Sequence, residues 1–226
     1  MVISSATIIT ICIIACFSLV RIVALKVPPM KVIIVPGNGC GKRVLTSNWY
    51  GWLKSELENS RVLANKITEV RLENMPDPSV ARETIWIPFI LRDLGADEDS
   101  IVVGHSSGAV AAMRLLEENK LKGAILVSAC HTDLGEENER ASGYYSRPWE
   151  WDKIKQNAEF IAQYHSTDDP FIPISEARHV HENLDTEYFE FNDRSHFFEP
   201  FPEIVEYLEG KICSLLEEGT SDGNHG

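Results

Sequence analysis

The stretch Gly104-His105-Ser106-Ser107-Gly108 constrains this chain more than any other, because an apolar run, Ile101 to Val103, precedes it and a helix-forming run, Ala109 to Glu118, follows. A strand must turn sharply into a helix there. Glycines at both ends let the backbone double back where a Cβ would clash, and the serine between them is held out on a strained elbow. The small residues Ala109, Val110, Ala111 and Ala112 suit the close helix-on-strand packing that such a turn requires. Ser106 is thus the candidate nucleophile.

Apolar runs alternate with amphipathic stretches along the rest of the chain, which predicts an α/β fold: a mostly parallel central sheet with helices on both faces and a short cap segment. Strands are expected near Val32–Val35, Leu63–Leu72, Ile101–Val103, Ala124–Val127, Phe160–Tyr164 and Glu187–Phe191. Helices are expected over Trp49–Glu58, Val80–Leu94, Ser107–Glu118, Ile174–Asn183 and Pro202–Leu216. No Pro/Gly/Ser-rich linker divides the chain, so residues 30–217 read as one catalytic domain, with a disordered tail from 218 to 226. The acidic, aromatic segment His131 to Trp151 falls after a strand and reads as a substrate lid.

A formal charge of -13 argues against nucleic acid as a partner, since phosphate backbones call for clustered lysine and arginine. The five cysteines form neither a paired zinc pattern nor a disulfide scaffold and fit a reduced compartment. Residues 2–20 carry no charge and are long enough to span a bilayer, with Arg21, Lys26 and Lys31 following them. Two readings stay open for residues 1–29: a membrane anchor that keeps the enzyme on the cytoplasmic side, or sequence upstream of a start at Met30 that yields a soluble domain.

A serine hydroxyl needs a base, and the base needs a carboxylate to fix its tautomer. His196 follows a predicted strand and precedes the last helix, the place for such a base. His179 and His181 lie two apart on a helix and point to different sides; His131 and His165 come too early for the order serine, acid, histidine, though either could line the cleft. Asp168 and Asp169, in Ser166-Thr167-Asp168-Asp169-Pro170, follow a strand and supply the acid; spacing does not choose between them.

An oxyanion hole needs two backbone donors. Ser107 supplies one amide and Asn38, in Pro36-Gly37-Asn38-Gly39, the other. The same glycine loop fails as a phosphate cradle, because Pro36 and Arg43 occupy required P-loop positions and Lys42 breaks the dinucleotide-binding spacing. Trp149 and Trp151 are candidates for substrate contact, and the acidic residues Asp133, Glu136, Glu137 and Glu139 could favour a substrate with a free amine.

The elbow and its partners follow the order of an α/β-hydrolase, and the chain resembles the serine hydrolase family of retinoblastoma-binding protein 9. The resemblance rests on Pro36 to Gly39, Asn74-Met75-Pro76-Asp77-Pro78, Ala81-Arg82-Glu83, Gly104 to Gly108, Glu137 to Tyr144, Arg147-Pro148-Trp149 and Ser166 to Phe171, and spans about Val32 to Leu216. It implies Ser106 as nucleophile, Asp169 rather than Asp168 as acid, His196 as base, no metal or organic cofactor, and hydrolysis of small esters or amides, including amino-acid esters and N-terminal peptide bonds. A protein-binding scaffold with little turnover is the alternative. The family's retinoblastoma-binding L-x-C-x-E segment corresponds to Leu94-Gly95-Ala96-Asp97-Glu98, where Ala96 replaces the cysteine and weakens the case for that partner.

Overall fold

A computed structural model describes residues 30–221. Six strands form a single sheet: β1 (Met30–Val35), β2 (Ile67–Arg71), β3 (Ser100–His105), β4 (Gly123–Val127), β5 (Ile161–Ser166) and β6 (Glu187–Phe191). Their order is β2-β1-β3-β4-β5-β6, and every neighbouring pair is parallel. The helices are α1 (Tyr50–Asn59), α2 (Glu83–Arg92), α3 (Ser107–Glu118), α4 (Glu137–Ser142), α5 (Trp151–Gln156), α6 (Ile174–Leu184) and α7 (Glu203–Ser221).

The central strands β3, β4 and β5 are buried at every position, as expected of parallel strands covered on both faces. Alternation within β1 divides the core. Ile33 and Val35 join Trp86, Ile90, Val110 and Val180 on the side of α2, α3 and α6. Val32 and Ile34 join Trp49, Leu53, Ile204 and Leu208 on the side of α1 and α7. The edge strands carry charges that discourage further pairing, half-buried on β2 as at Glu69 and exposed on β6 as at Glu187.

Chain order reverses at β1, which has β2 on one side and β3 on the other. The crevice beyond the carboxyl ends of strands at such a reversal is where open α/β sheets place their sites. Pairing of Val35 with Gly104 and of His105 with Val127 aligns the ends of β1, β3 and β4 there.

Three expected boundaries shift for local reasons. β2 starts at Ile67, not Leu63, because Asn65 adopts φ 65° and the Ser60 hydroxyl accepts the Val62 and Leu63 amides. α2 starts at Glu83, after Ala81 at φ 58° and an Arg82 amide bound to the Asp77 carboxylate. α7 continues through Ser221, past the expected boundary at 217, and the Ser214 hydroxyl donates to Glu218 on that last stretch. Among the described residues no helix is long and apolar enough to cross a membrane; the apolar run 2–20 lies outside them.

The segment 131–151 is anchored on α3. The Arg114 side chain is 0% exposed and pairs with Glu117. Its guanidinium donates to the carbonyls of Tyr144 (2.9 Å), Arg147 (2.8 Å) and Pro148 (3.1 Å), and it lies 3.6 Å over the Trp149 ring. Five fixed N–H donors suit arginine to gathering several carbonyls at once. In the stretch Leu94–Glu98, Leu94 and Ala96 are buried and Asp97 pairs with Lys31 at 2.9 Å.

Candidate active site

Ser106 stands between β3 and α3 with φ 54° and ψ -120°, a backbone state costing about 1–3 kcal/mol that only surrounding structure can hold. Its amide donates to the Val127 carbonyl at 2.9 Å, and its own carbonyl accepts the Ala109 amide at 2.9 Å. The flanking glycines are required by contact: a Cβ on Gly104 would lie 2.3 Å from the Gly108 carbonyl oxygen, and one on Gly108 would lie 2.2 Å from that of Val35. The elbow therefore presses directly on β1.

His196 sits in the β6–α7 connection, between Ser195 and Phe197, both at positive φ. Its Nδ1 is 2.8 Å from Asp169 Oδ2, and the Asp169 side chain is fully buried. The other carboxylate oxygen accepts the amides of Phe171 (2.9 Å) and Ile172 (3.0 Å). Burial alone would raise the Asp169 pKa, but the His196 hydrogen bond and charge and the two amides outweigh it, and the pKa is lowered.

Asp168 does not face the ring. Its Oδ1 accepts the Ser166 hydroxyl (2.5 Å) and the Ser195 amide (2.9 Å), tying the acid's loop to the histidine's loop.

Ser106, His196, Asn38 and Ser107 line one cavity of about 470 Å³. Ser107 opens α3, so its amide has no intrahelical acceptor and adds to the positive end of the helix dipole beside Ser106. Gly37 holds the neighbouring loop close: a Cβ there would lie 3.2 Å from Ser106 Cβ. The Asn38 side-chain amide donates to Glu139 Oε1 at 3.1 Å, joining this loop to the cap.

The cap contributes Leu134, Glu136, Asn138 and Glu139 to the cavity wall, and Phe171 and Phe198 form its apolar rim. Both rings pack near His196, with centroids at 5.1 and 5.5 Å, and Phe171 is 60% exposed. Burial raises the Glu139 pKa, partly offset by hydrogen bonds from Tyr145 and Asn38.

Other expected contacts fall elsewhere. Trp149 and Trp151 stack on each other at 5.5 Å outside the cavity wall, because Trp149 is taken by Arg114 and its indole N–H donates to the His131 carbonyl. His131 does not line the cleft but lies against Glu176 (2.8 Å) and stacks on His179, which is therefore not simply solvated. His165 is buried and donates from Nε2 to the Ile172 carbonyl at 3.0 Å. Sequence reasoning passed over Tyr50 and His105, which line the cavity. The signal for His105 was its place beside Ser106 at the end of a buried strand, where an imidazole must find partners.

A parallel α/β sheet with a serine elbow at its chain reversal and a histidine–aspartate pair in the same crevice defines a hydrolase of the α/β class. The profile of the family described as Serine hydrolase matches residues 32–209, and the chain belongs to that family. It is 48% identical over 189 residues to the rat (Rattus norvegicus) protein named Serine hydrolase RBBP9, covering 83% of this chain and 98% of the relative. It resembles the crystal structure of the ydeN gene product of Bacillus subtilis with a TM-score of 0.69 and 27% identity, covering 82% of this chain and 99% of that one. The structure of Est1E from Butyrivibrio proteoclasticus with ferulic acid bound, at 12% identity, TM-score 0.61 and coverage of 84% and 90%, shares the fold.

Proposed function

We propose that this serine hydrolase cleaves small ester or amide substrates through Ser106, His196 and Asp169. The observation that carries the reading is the 2.8 Å bond between a buried Asp169 carboxylate and Nδ1 of His196, which lines the same cavity as Ser106. Asp169 accepts a hydrogen bond from the Nδ1–H, which holds the proton on Nδ1 and leaves Nε2 as the basic nitrogen. Ser106 Oγ attacks the substrate carbonyl carbon while its proton passes to Nε2. The carbonyl oxygen becomes an oxyanion under the Asn38 and Ser107 amides. The leaving alcohol or amine takes the proton from His196, and an acyl ester on Ser106 remains. Water, deprotonated by the same histidine, then attacks that ester; the bond to Ser106 Oγ breaks, His196 returns the proton to Oγ, and the acid is released.

Glu136 and Glu139 on the cap give the cavity an acidic end, which supports acyl groups bearing a free amine, such as aminoacyl esters and amides. A fluorophosphonate probe should label the wild-type protein, and Ser106→Ala should abolish labelling; a folded wild-type protein that stays unlabelled contradicts the reading. Glu139→Gln should raise KM for an aminoacyl p-nitroanilide while leaving KM for p-nitrophenyl acetate close to wild type. Equal changes for both substrates would remove the amine assignment.

A further inference from the structure

His105 does not enter the steps above, yet it is buried against the proposed base and nucleophile with both ring nitrogens engaged. Its Nε2 is 2.9 Å from the His196 carbonyl, and its Nδ1 is 2.6 Å from the Tyr50 hydroxyl. A carbonyl can only accept, so Nε2 carries the proton and Nδ1 offers its lone pair. Tyr50 must then donate to Nδ1. That leaves the phenol oxygen free to accept, and it receives the Gly37 amide (3.0 Å) and the Asn48 side-chain amide (3.0 Å). The hydrogen bonds run from the Gly37 amide to Tyr50, to His105, to the His196 backbone, with Cys40 as a further neighbour of the Tyr50 hydroxyl.

Its two ends are the places where the reaction needs fixed geometry. Gly37 immediately precedes Asn38, and a Cβ on it would come within 3.5 Å of His105 Nδ1. His196 lies between two residues at positive φ, in a connection without regular structure. The relay is also largely shielded from solvent: Trp49 packs against His105 and Tyr50 at 5.7 and 4.9 Å, and His105 is 1% exposed.

We propose that Tyr50 and His105 are positioning residues that set the oxyanion loop and the His196 main chain against each other through one directed hydrogen-bond relay. The proposal rests on the hydrolase reading of Ser106 and His196 and adds residues that touch no reacting atom. Burial, followed by the like charge of His196, lowers the His105 pKa to about 3, so the neutral, singly donating ring the relay requires persists across the working pH range.

The test is kcat for p-nitrophenyl acetate per site titrated with a fluorophosphonate, so that misfolded protein is not counted. Tyr50→Phe removes one oxygen; His105→Gln keeps a donor toward the His196 carbonyl but loses the acceptor for Tyr50. Each should lower kcat roughly ten-fold, the scale expected of a sub-ångström misplacement, with KM nearly unchanged. The double variant should be no worse than the poorer single, since both break the same chain. His105→Leu, a better fit to an apolar site than glutamine, should be the most impaired, because it leaves the His196 carbonyl without a donor.

Losses that multiply in the double variant, a leucine variant equal to or better than the glutamine one, or kcat unchanged in Tyr50→Phe would each overturn the relay. A wild-type protein that the probe does not label would instead bring down the hydrolase reading and the relay with it. A wild type that labels normally beside unaffected variants removes the relay alone.

Discussion

Asp168 and Asp169 are adjacent and chemically identical, yet their carboxylates do different work. Asp169 is fully buried and spends one oxygen on His196 and the other on two amides, whereas Asp168 ties the Ser166 hydroxyl to the Ser195 amide. Asp169→Asn should therefore lower kcat by about ten-thousand-fold, as when a triad loses the acceptor that fixes its histidine tautomer. Asp168→Asn retains an oxygen that can accept from both partners and should keep most of the activity; if it proved the more damaging of the two in steady-state assays, the acid assignment would reverse. Composition and spacing left the two aspartates undivided, because which one turns inward depends on the amides of residues 171 and 172, set by the path of the chain rather than by the aspartates. The strand-to-helix turn at Ser106 was legible because glycines four apart between an apolar run and a helix-forming run suit such a turn. His105 and Tyr50 were not, since their roles depend on a contact between residues 55 apart in sequence.

At the scale of elements, burial made the central strands legible. A run such as Ile101-Val102-Val103 must be covered on both sides, and it is. The edges were less so: β2 is short and half-exposed, and its start is set by a positive-φ asparagine and a serine cap, neither of which has an apolar period. The segment 131–151, expected as a substrate lid, lines the cavity with Leu134, Glu136, Asn138 and Glu139, and its stretch 144–148 is tied to α3 through Arg114. Arg114→Met would leave the carbonyls of Tyr144, Arg147 and Pro148 short of their donor and the buried Glu117 without its nearest cation. The expected loss is about 3–5 kcal/mol in guanidinium unfolding, the range for breaking a buried pair from one side. Lysine should rescue little, because an ammonium cannot fan across the same carbonyls.

Over the whole molecule, burial disfavours the protonated form of several histidines. The pKa of His105 is lowered to about 3, and those of His131 and His165 are also lowered, burial being the largest cause in each. Unfolding frees these rings to take protons below the ordinary histidine value of about 6.5, while the native state does not. The unfolded chain then binds more protons than the native one, so stability should fall as pH drops from about 6.5 toward 3, by up to about 1.4 kcal/mol per pH unit for His105, with smaller contributions of the same sign from His131 and His165. Urea unfolding between pH 7.5 and 4.5 should show this slope, and His105→Gln should flatten it; a slope unchanged by that substitution would mean the other groups account for it. The sheet's chain order bears on how the protein is made. Ser106 lies near the middle of the sequence, Asp169 well beyond it, and His196 arrives only with the connection into the last helix. During synthesis the serine is exposed to the cell as an ordinary alcohol, without a base to activate it. If the proposed triad holds, reactivity begins only once the C-terminal part of the chain has been released and folded back against β3, so a stalled or truncated nascent chain would carry Ser106 without its proposed base.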